Sequence, residues 1–495
     1  MLAHHYLSAI ELARAAGQDA SEFAEPARLA LREAGDRALA LNAFPAAARF
    51  YRAALDLWPS QDGERPHLLL RLGKAVYVAE ATGADILEEA RDGLLAVGDR
   101  EAAAEAETRL GEIFGHQGHR DRENEHLARA AALVEGVPPS SSKAYTLTQL
   151  AGSQMMRGDT EEAVRIAREA LAIADELGLH ERRSEAMNLL GVSLVDGGDF
   201  GGVDVIERGL TIALEHNLPE AARVFGNLAE VVSNYLGDLA RAARLREEAV
   251  RVTERFGLAF STAWFIGERV VSSYWTGRWD EALELADDML SGAEAGSPSY
   301  MDVQARQVRA RIALARGVPT AASEAGETLK LARAVGDPQV IYPALAFAAR
   351  EASFTGRLKE AAALIDELLT RWRSRPKTVL QSHLQSFSDA AEALSVLGRG
   401  EELAEIGATA RMQTRWIEAA TAFVGRDFQH AAEIYAECGS LPDEAYARLR
   451  AAEALIAEGR SAEGDQELQS ALAFYRSVDA TAYIRKGEAL LARTA

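Results

Sequence analysis

The sequence predicts an all-α protein in which helical hairpins stack into an α–α superhelix. Three observations predict this fold: the length, the composition and a regular spacing of glycines. At 495 residues the chain exceeds the size at which one hydrophobic core keeps growing, so it either divides into domains or extends as an array. Ala, Leu, Glu and Arg dominate the composition, which favours an array built from helices.

Seven glycines mark the period of the array. They stand at intervals of 40, 40, 39, 40, 40 and 39 residues, and they are Gly118, Gly158, Gly198, Gly237, Gly277, Gly317 and Gly356. Glycine tolerates the left-handed conformation that ends a helix, and a polar residue just after it suits the start of the next helix. Each glycine is therefore predicted to lie at the bend of a helical hairpin.

The stretches that follow these glycines resemble one another. "RGDTEEAVRIAREAL" from residue 157 and "TGRWDEALELADDML" from residue 276 are two clear copies. Forty residues hold two helices of about 15 residues and two short connections, so the chain accommodates about eleven or twelve hairpins. Because one hairpin cannot bury its apolar face alone, neighbours must stack, and contacts are predicted to run between neighbours. Small residues five positions after the glycine let the two helices approach closely: Ala163, Ala242, Ala282 and Ala361.

The segment at residues 35–59 carries a family resemblance. "GDRALALNAFPAAARFYRAALDLWP" resembles a tetratricopeptide (TPR) repeat, with Gly35 in the first helix, the turn at residues 42–44 and the closing Pro59 in register. A second good copy begins at Gly425, and weaker copies stretched to 40 residues cover almost the whole chain. In the first copy Ala47, Tyr51, Ala54 and Leu55 also fall in register; in the second copy the turn and second-helix positions are occupied by Phe428, Ala431, Tyr435 and Cys438.

The layout also resembles the C-terminal repeat region of large bacterial signalling proteins. In those proteins a STAND-type P-loop ATPase is combined with a nucleotide cyclase or a DNA-binding domain. This chain contains no G-x-x-x-x-G-K-[ST] motif, and Leu68 stands where "RLGKAV" would need the upstream glycine. ATP hydrolysis is therefore not carried over from the resemblance.

Two joints divide the array into three predicted zones. The Pro- and Ser-rich "VEGVPPSSSK" follows residue 133, and "RWRSRPKTVLQ" begins at residue 371. The expected domains are N-terminal TPR-like hairpins at 1–137, regular 40-residue repeats at 138–373, and irregular and capping repeats at 374–495. One continuous superhelix is expected to run through all three.

Charge and cysteine content restrict the partners and the compartment. The formal net charge of −21 disfavours nucleic acid and anionic membranes, since both are bound through Lys and Arg. Cys438 is the single cysteine, so no intrachain disulfide forms and a reducing compartment is expected. No apolar run reaches the length of about 18 residues that spans a membrane. The sequence thus predicts a cytoplasmic protein in which Cys438 is a small buried residue.

The search for catalytic motifs is negative. There is no H-E-x-x-H, G-x-S-x-G or paired C-x-x-C motif, so the chain is predicted not to be an enzyme and to hold no cofactor or metal. His116, His119 and His126 form one ligand-like cluster, but the first two straddle a turn, which favours a solvated loop over a metal site. The many carboxylates are expected to form a charged outer face rather than to act as acid and base.

The TPR resemblance implies that the first helix of each hairpin lines a concave groove. Counting back from each turn glycine places amides, arginines and aromatic rings there. Such a lining suits an extended peptide or a polar small molecule, because amides hydrogen-bond a backbone and rings supply contact area. The predicted groove residues are Tyr145, Met156, Asn188, Asn227, Asn234, Tyr235, Trp264, Tyr274, Trp275, Gln304, Gln307, Arg311, Arg350 and Phe354.

Two questions stay open at this stage. The aromatic rings either face a ligand or fill gaps between helices, and the asparagines either bind a partner or satisfy local backbone groups. The predicted function is a non-catalytic scaffold that binds a peptide or protein partner. The alternative is the sensory or regulatory arm of a signalling ATPase, cyclase or transcription regulator that binds a small effector, and a hydrolase ranks a distant third.

Overall fold

Helices form all the regular structure in the described part of the chain. The computed structural model describes residues 21–117, 119–294, 301–374, 386–410 and 412–492, together with single positions before residue 21. Within those ranges there are 25 α-helices and no strand, and successive helices pack in pairs. They make twelve hairpins and one final helix, which confirms the predicted fold class.

The first three hairpins precede the regular copies. Their helices are α1 (Ser21–Ala40), α2 (Phe44–Leu55), α3 (Arg65–Glu80), α4 (Ala84–Val97), α5 (Arg100–His116) and α6 (Arg120–Val134).

The next six hairpins follow the 40-residue period. Their helices are α7 (Ser141–Met156), α8 (Thr160–Glu176), α9 (His180–Asp196), α10 (Gly202–Glu215), α11 (Ala221–Val231), α12 (Leu239–Phe256), α13 (Ala259–Trp275), α14 (Trp279–Glu294), α15 (Asp302–Arg316), α16 (Ala321–Val335), α17 (Pro338–Phe354) and α18 (Leu358–Arg373). A π-helical turn at Val232–Leu236 continues α11.

Seven helices complete the described chain. They are α19 (Ser386–Leu397), α20 (Gly400–Thr409), α21 (Arg415–Val424), α22 (Phe428–Cys438), α23 (Leu441–Ala457), α24 (Ser461–Ser477) and α25 (Thr481–Leu491).

The turn glycines lie where the sequence predicts them. Gly118 is outside the described residues, and the other six have φ between 67° and 95°, each between the two helices of a hairpin. Asp159 and Asp238 follow two of them and cap the next helix, since each carboxylate accepts a bond from a backbone N–H three residues later. The four alanines five residues beyond the glycines are fully buried, as close helix approach requires.

The first TPR-like copy packs as its sequence indicates. A Cβ on Gly35 would lie 2.5 Å from the ring of Tyr51, so α1 and α2 touch at this point. Tyr51 is itself fully buried, as are Ala47 and Ala54. Cys438 in the second good copy is 2% exposed and pairs with no other cysteine, in agreement with its predicted role.

The first helices of consecutive hairpins form an inner layer. Each of α5, α7, α9, α11, α13 and α15 contacts the next first helix along the chain, while the second helices lie outside them. This arrangement matches the predicted solenoid, in which repeats stack side by side.

Contacts also join helices that are ten positions apart. Helix α3 contacts α13, α13 contacts α23, and α15 contacts α25, while the π turn after α11 contacts α21. Ten helices are five hairpins, so the superhelix closes one revolution every five hairpins and each revolution rests on the one before. We call this contact the winding contact.

The winding contact corrects the prediction that contacts run only between neighbours. Trp416 donates its indole N–H to the carbonyl of Ser233 at 2.8 Å, across 183 residues of sequence. At the bend of α13, a Cβ on Gly277 would lie 3.1 Å from both Leu441 and Phe474. The C-terminal hairpins are thus packed against the bends of the regular copies.

The three predicted zones remain a prediction. The first joint falls between α6 and α7, and α18 ends at Arg373, but most of the second joint lies outside the described residues. In the ranges that the structure describes, none of the helices combines the length and apolarity needed to cross a bilayer.

Candidate binding cavity

The inner layer surrounds a cavity of about 1110 Å³. Its walls come from α5, α7, α9, α11, α13 and α15, which are six consecutive first helices. The ring is closed where α6 meets the start of α17: Arg120 donates to the carboxylate of Asp337 at 3.1 Å. Gln339 lies 3.7 Å from the sulfur of Met156 at the same closure. The cavity is therefore the concave side of one superhelical revolution.

Most of the predicted groove residues line this cavity. The ten that do are Met156, Asn227, Asn234, Tyr235, Trp264, Tyr274, Trp275, Gln304, Gln307 and Arg311. They all lie on first helices or on the π turn, as the TPR resemblance implies. Their presence at one surface supports the register of the prediction, while their role in binding stays a prediction.

The other four predicted residues lie outside the cavity lining: Tyr145, Asn188 and Arg350 are buried, and Phe354 is half-buried. Tyr145 is 1% exposed and donates to Glu112, and the guanidinium groups of Arg109 and Arg182 lie 4.7 and 4.4 Å from its ring centre. Asn188 is also 1% exposed. At Tyr145, side chains from the two neighbouring first helices cover the predicted inner face.

Arg350 and Phe354 lie where the winding contact fills the concave side. Arg350 donates to Asp389 at 3.0 Å and to the hydroxyl of Tyr483, also at 3.0 Å. Phe354 packs on the same Tyr483 ring, with 5.2 Å between ring centres. The C-terminal hairpins therefore occupy the position that an open groove would leave to a ligand.

The structure divides the predicted aromatic residues into two groups. Tyr274 and Trp275 are each 3% exposed, and they join the core that includes Trp279 and Trp416. Both rings are therefore core residues at the cavity wall, and the gap-filling alternative describes their packing. Trp264 is half-buried and belongs to the wall itself.

Asn234 hydrogen-bonds to groups of its own helical turn. Its amide donates to the backbone carbonyl of Glu230 at 3.1 Å and to the carboxylate of the same residue at 2.7 Å. Tyr235 donates to Asp196 at 3.0 Å. These two residues shape the wall from the π turn, a local geometry that is frequent at functional sites.

One amide of the wall, Gln149, was missed by the sequence prediction. Gln149 lies 39 residues before Asn188, which lies 39 before Asn227, and Gln307 follows 80 residues after Asn227. These four amides hold one repeat position on α7, α9, α11 and α15. The interval that relates Asn188 to Asn227 was the signal for Gln149. We call Gln149, Asn188, Asn227 and Gln307 the amide row.

A charged corner of the cavity was also missed. Arg246 on α12 donates to Glu230 on α11 at 2.8 Å and to Glu268 on α13 at 3.0 Å, and all three line the cavity. Burial raises the pKa of Glu268 to about 8, and the neighbouring Glu230 raises it further than Arg246 can lower it. Arg246 lies on a second helix, so a search confined to first helices could not find it.

Arg311 connects the cavity to the C-terminal hairpins. It lines the cavity and also makes a bidentate pair with Asp389, which is fully buried on α19. Asp389 accepts a further bond from Arg350. Burial and the surrounding carboxylates raise the pKa of Glu392, the other acidic partner of Arg350, to about 8.

Two histidines of the cluster, His116 and His126, are bonded within the protein, whereas His119 is exposed as a solvated loop residue would be. His116 bonds to the hydroxyl of Tyr77, and burial lowers its pKa to about 4, so the ring is neutral. His126 is 4% exposed and pairs with the buried Glu107. His119, which is exposed, is the first-turn neighbour of Arg120 at the cavity closure.

One group of carboxylates among the described residues has the spacing of metal ligands. Glu181, Glu185 and Glu220 offer oxygens within 4.8 Å of one another. Arg182 donates to Glu185 at 2.7 Å, and burial raises the pKa of Glu220 to about 8. A guanidinium and the raised pKa of Glu220 therefore offset part of the negative charge of this group.

Comparison with known proteins concerns the fold. No family model and no curated protein sequence matches the chain. A Rap protein complexed with Competence and Sporulation Factor is similar over 84% of this chain and 99% of that one, at 16% identity and a TM-score of 0.45. BtubC from P. vanneervenii matches 44% of this chain and 91% of its own, at 19% identity and a TM-score of 0.33.

A third similar structure is a signal transduction ATPase with numerous domains from Pyrococcus horikoshii, which has a tetratricopeptide repeat sensor. It matches 68% of this chain and 55% of its own length, at 13% identity and a TM-score of 0.41. The hairpins, their period and the inner layer of first helices define the present chain as a TPR-like helical-repeat protein.

Proposed function

We propose that this chain is a non-catalytic scaffold that binds an extended peptide segment of a protein partner in its central cavity. The observation that carries the proposal is the amide row, of which Gln149, Asn227 and Gln307 line the cavity. Side-chain amides donate and accept hydrogen bonds as peptide groups do, so a row of them suits a polypeptide backbone. A cytoplasmic location is part of this proposal.

Unused hydrogen-bonding capacity in the amide row supports it. Gln149 is 7% exposed, and its Nε2 has no partner among the described residues. The side-chain oxygen and nitrogen of Asn188 also have no hydrogen-bond partner among the described residues. A buried amide without a partner costs free energy, which a ligand carbonyl in the cavity would recover at Gln149.

The size and charge of the cavity favour a peptide over a small ion or metabolite. Pockets for small molecules commonly enclose about 300–1,000 Å³, and this cavity of about 1110 Å³ is above that range. Its lining holds seven carboxylic residues and six arginines, so it is nearly balanced although the chain carries −21. Recognition then depends on hydrogen bonds and shape more than on net charge.

The pairing of the polar groups supports a role without chemistry. Glu112, Asp196, Glu230 and Asp337 each accept bonds from protein side chains. Acid and base catalysis needs a group aimed at a substrate with a matched pKa, whereas these groups hold the wall together. The cavity therefore has the character of a binding site.

Selection from a random peptide library displayed on phage tests the proposal. We expect the wild-type chain to enrich a sequence family, whose members bind with measurable heat in solution. Asn227→Ala should weaken that binding about tenfold, since a hydrogen bond from the amide and the packing of the side chain are lost. Gln469→Ala, which removes an exposed amide on the outside of α24, is the matched control. Failure to enrich any family above the level of a blank support would contradict the proposal.

The second candidate function is a regulatory arm of a larger signalling protein that responds to a ligand in the cavity. Arg311 favours it, because the residue touches both the cavity and the buried Asp389 of α19. A ligand that displaced Arg311 would change the packing of the C-terminal hairpins. Hydrogen exchange of α19 to α25 with and without a selected peptide measures this, and equal exchange in both states would count against it.

A further inference from the structure

Three residues from three helices form one corner of the cavity, which we call the acidic corner: Glu230, Arg246 and Glu268. Arg246 and Glu268 are 6% and 8% exposed, while the Glu230 side chain is 45% exposed toward the cavity. Arg246 bridges the two carboxyl groups at 2.8 and 3.0 Å. Two neighbours complete the corner. Asn234 donates to Glu230, and the hydroxyl of Ser233 accepts from Arg246.

Two carboxyl groups therefore face one guanidinium. If both were ionised, Arg246 would balance only one of the two charges, and the buried Glu268 would carry a negative charge in a largely desolvated position. The chain solves this with a proton: burial raises the pKa of Glu268 to about 8, and its carboxyl is hydrogen-bonded to Glu230. At neutral pH the proton occupies the place of a second positive group.

An aromatic face adjoins the acidic corner. Trp264 lies four residues before Glu268 on α13, so the two side chains point to the same side of the helix, and both line the cavity. A cation above an indole ring is attracted by the ring quadrupole. The unpartnered Nε2 of Gln149 in the same cavity shows independently that the wall has capacity left for a ligand.

We infer that the acidic corner binds a basic side chain, Lys or Arg, of the peptide that occupies the cavity. The inference rests on the proposed function and names the ligand chemistry that the cavity selects. The ammonium or guanidinium N–H groups donate to Glu230 and Glu268, and the aliphatic stem lies along Trp264.

When the basic side chain of the ligand binds, its positive charge replaces the proton of Glu268. Glu268 releases its proton to solvent, and the N–H donors of the ligand take over the hydrogen bond that the proton made to Glu230. Arg246 keeps both of its contacts. The corner then holds two cationic groups and two carboxylates, which balances its charge. Uptake of a basic peptide is thus coupled to release of about one proton.

Glu268→Gln is the variant that separates this role from a structural one. Glutamine has the shape of a protonated glutamate and can donate to Glu230 in the same way, so the fold and melting temperature should be preserved. It cannot become an anion, so its attraction for a cation is lost. Glu284→Gln removes an exposed acidic group from the outer face of α14 and serves as the control.

The same phage-displayed library provides the probe. We expect wild type and Glu284→Gln to enrich peptides with Lys or Arg at one fixed position. We expect Glu268→Gln to bind the selected peptide about 10- to 100-fold more weakly, as for loss of a charged hydrogen bond. Replacing the basic residue of that peptide by acetyl-lysine or citrulline should produce the same loss on wild type and a smaller one on Glu268→Gln.

Calorimetry in two buffers of different ionisation heat measures the coupled proton. Release of about one proton by wild type at neutral pH and none by Glu268→Gln would support the inference. Enriched peptides without a preferred basic residue would overturn the inference and leave peptide binding intact, as would equal affinity of wild type and Glu268→Gln. Enrichment of no peptide at all would overturn the proposed function and this inference together.

Discussion

Replacing Asp389 by asparagine should destabilise the chain through two buried arginines. Asp389 is fully buried, accepts two bonds from Arg311 and accepts one from Arg350 at 3.0 Å. Asparagine keeps the volume but removes the charge, and its NH₂ group points a donor at groups that only donate. Arg311 and Arg350 are each 5% exposed, so water cannot replace the carboxylate.

The expected loss follows from the burial and the remaining partners. Removal of one partner from a buried ion pair typically costs about 3–5 kcal/mol, because the other charge stays buried. Arg350 retains Glu392 at 2.7 Å, and that carboxyl can ionise more easily once Asp389 is neutral. No second carboxylate of the described residues lies within ion-pair distance of Arg311, which pairs with Asp389 alone. We therefore expect a loss near the lower end, about 3 kcal/mol of unfolding free energy.

Urea unfolding and hydrogen exchange of α15, α17 and α19 provide the measurement. Exchange is needed because a repeat array does not always unfold as one unit. The control is Asp366→Asn, which removes the partner of Arg399 from an exposed pair at 2.7 Å and should cost less than about 1 kcal/mol. If Asp389→Asn cost no more than this control, the assignment of a buried, desolvated ion network would be refuted. The double variant with Glu392→Gln should lose more than the sum of the two single variants, since it removes the fallback partner.

Three further predictions follow from burial, from the winding contact and from a raised pKa. Tyr274→Ala with Trp275→Ala should lower the melting temperature strongly, since core aromatic truncations cost about 3–5 kcal/mol each; an unchanged melt would place both rings outside the core. Gly277→Ala should destabilise more than Gly178→Ala in urea unfolding, because both glycines have positive φ but only the first would press a Cβ on the C-terminal hairpins; equal losses would argue against that packing. Glu392, whose pKa is raised to about 8 from an ordinary 4.5, stabilises the fold in its protonated form. Its contribution is complete below pH 4.5 and is lost as the pH rises through 8, so Glu392→Gln should flatten the fall of melting temperature over that window, and an unaltered pH profile would contradict it.

The local features of the fold could be predicted because each depends on a few neighbouring residues. A glycine such as Gly198 ends a helix through its own φ, and Ala242 permits close approach through its own size. The winding contact could not be predicted in this way. It depends on small rotations between hairpins that add up over five copies, and no single residue such as Trp416 records that its partner is Ser233.

The candidate site was predictable to the same extent. Counting along first helices found Asn227 and Trp264, because the helical period decides which side chains face inward. It also selected Tyr145, where Arg109 and Arg182 on the adjacent first helices cover the ring. Arg246 was missed since a long side chain on a second helix can reach between two inner helices, and only coordinates reveal such a reach.

The five-hairpin revolution restricts how such a chain can change its length. An open solenoid gains or loses one copy at an end or in the middle with little effect elsewhere. Here, one inserted or deleted hairpin would rotate all later hairpins by a fifth of a revolution. Each later revolution would then no longer match the revolution on which it rests. The winding contact therefore constrains the number of hairpins in this protein. Evolutionary variation should concentrate in the side chains of the inner wall instead of in the number of hairpins.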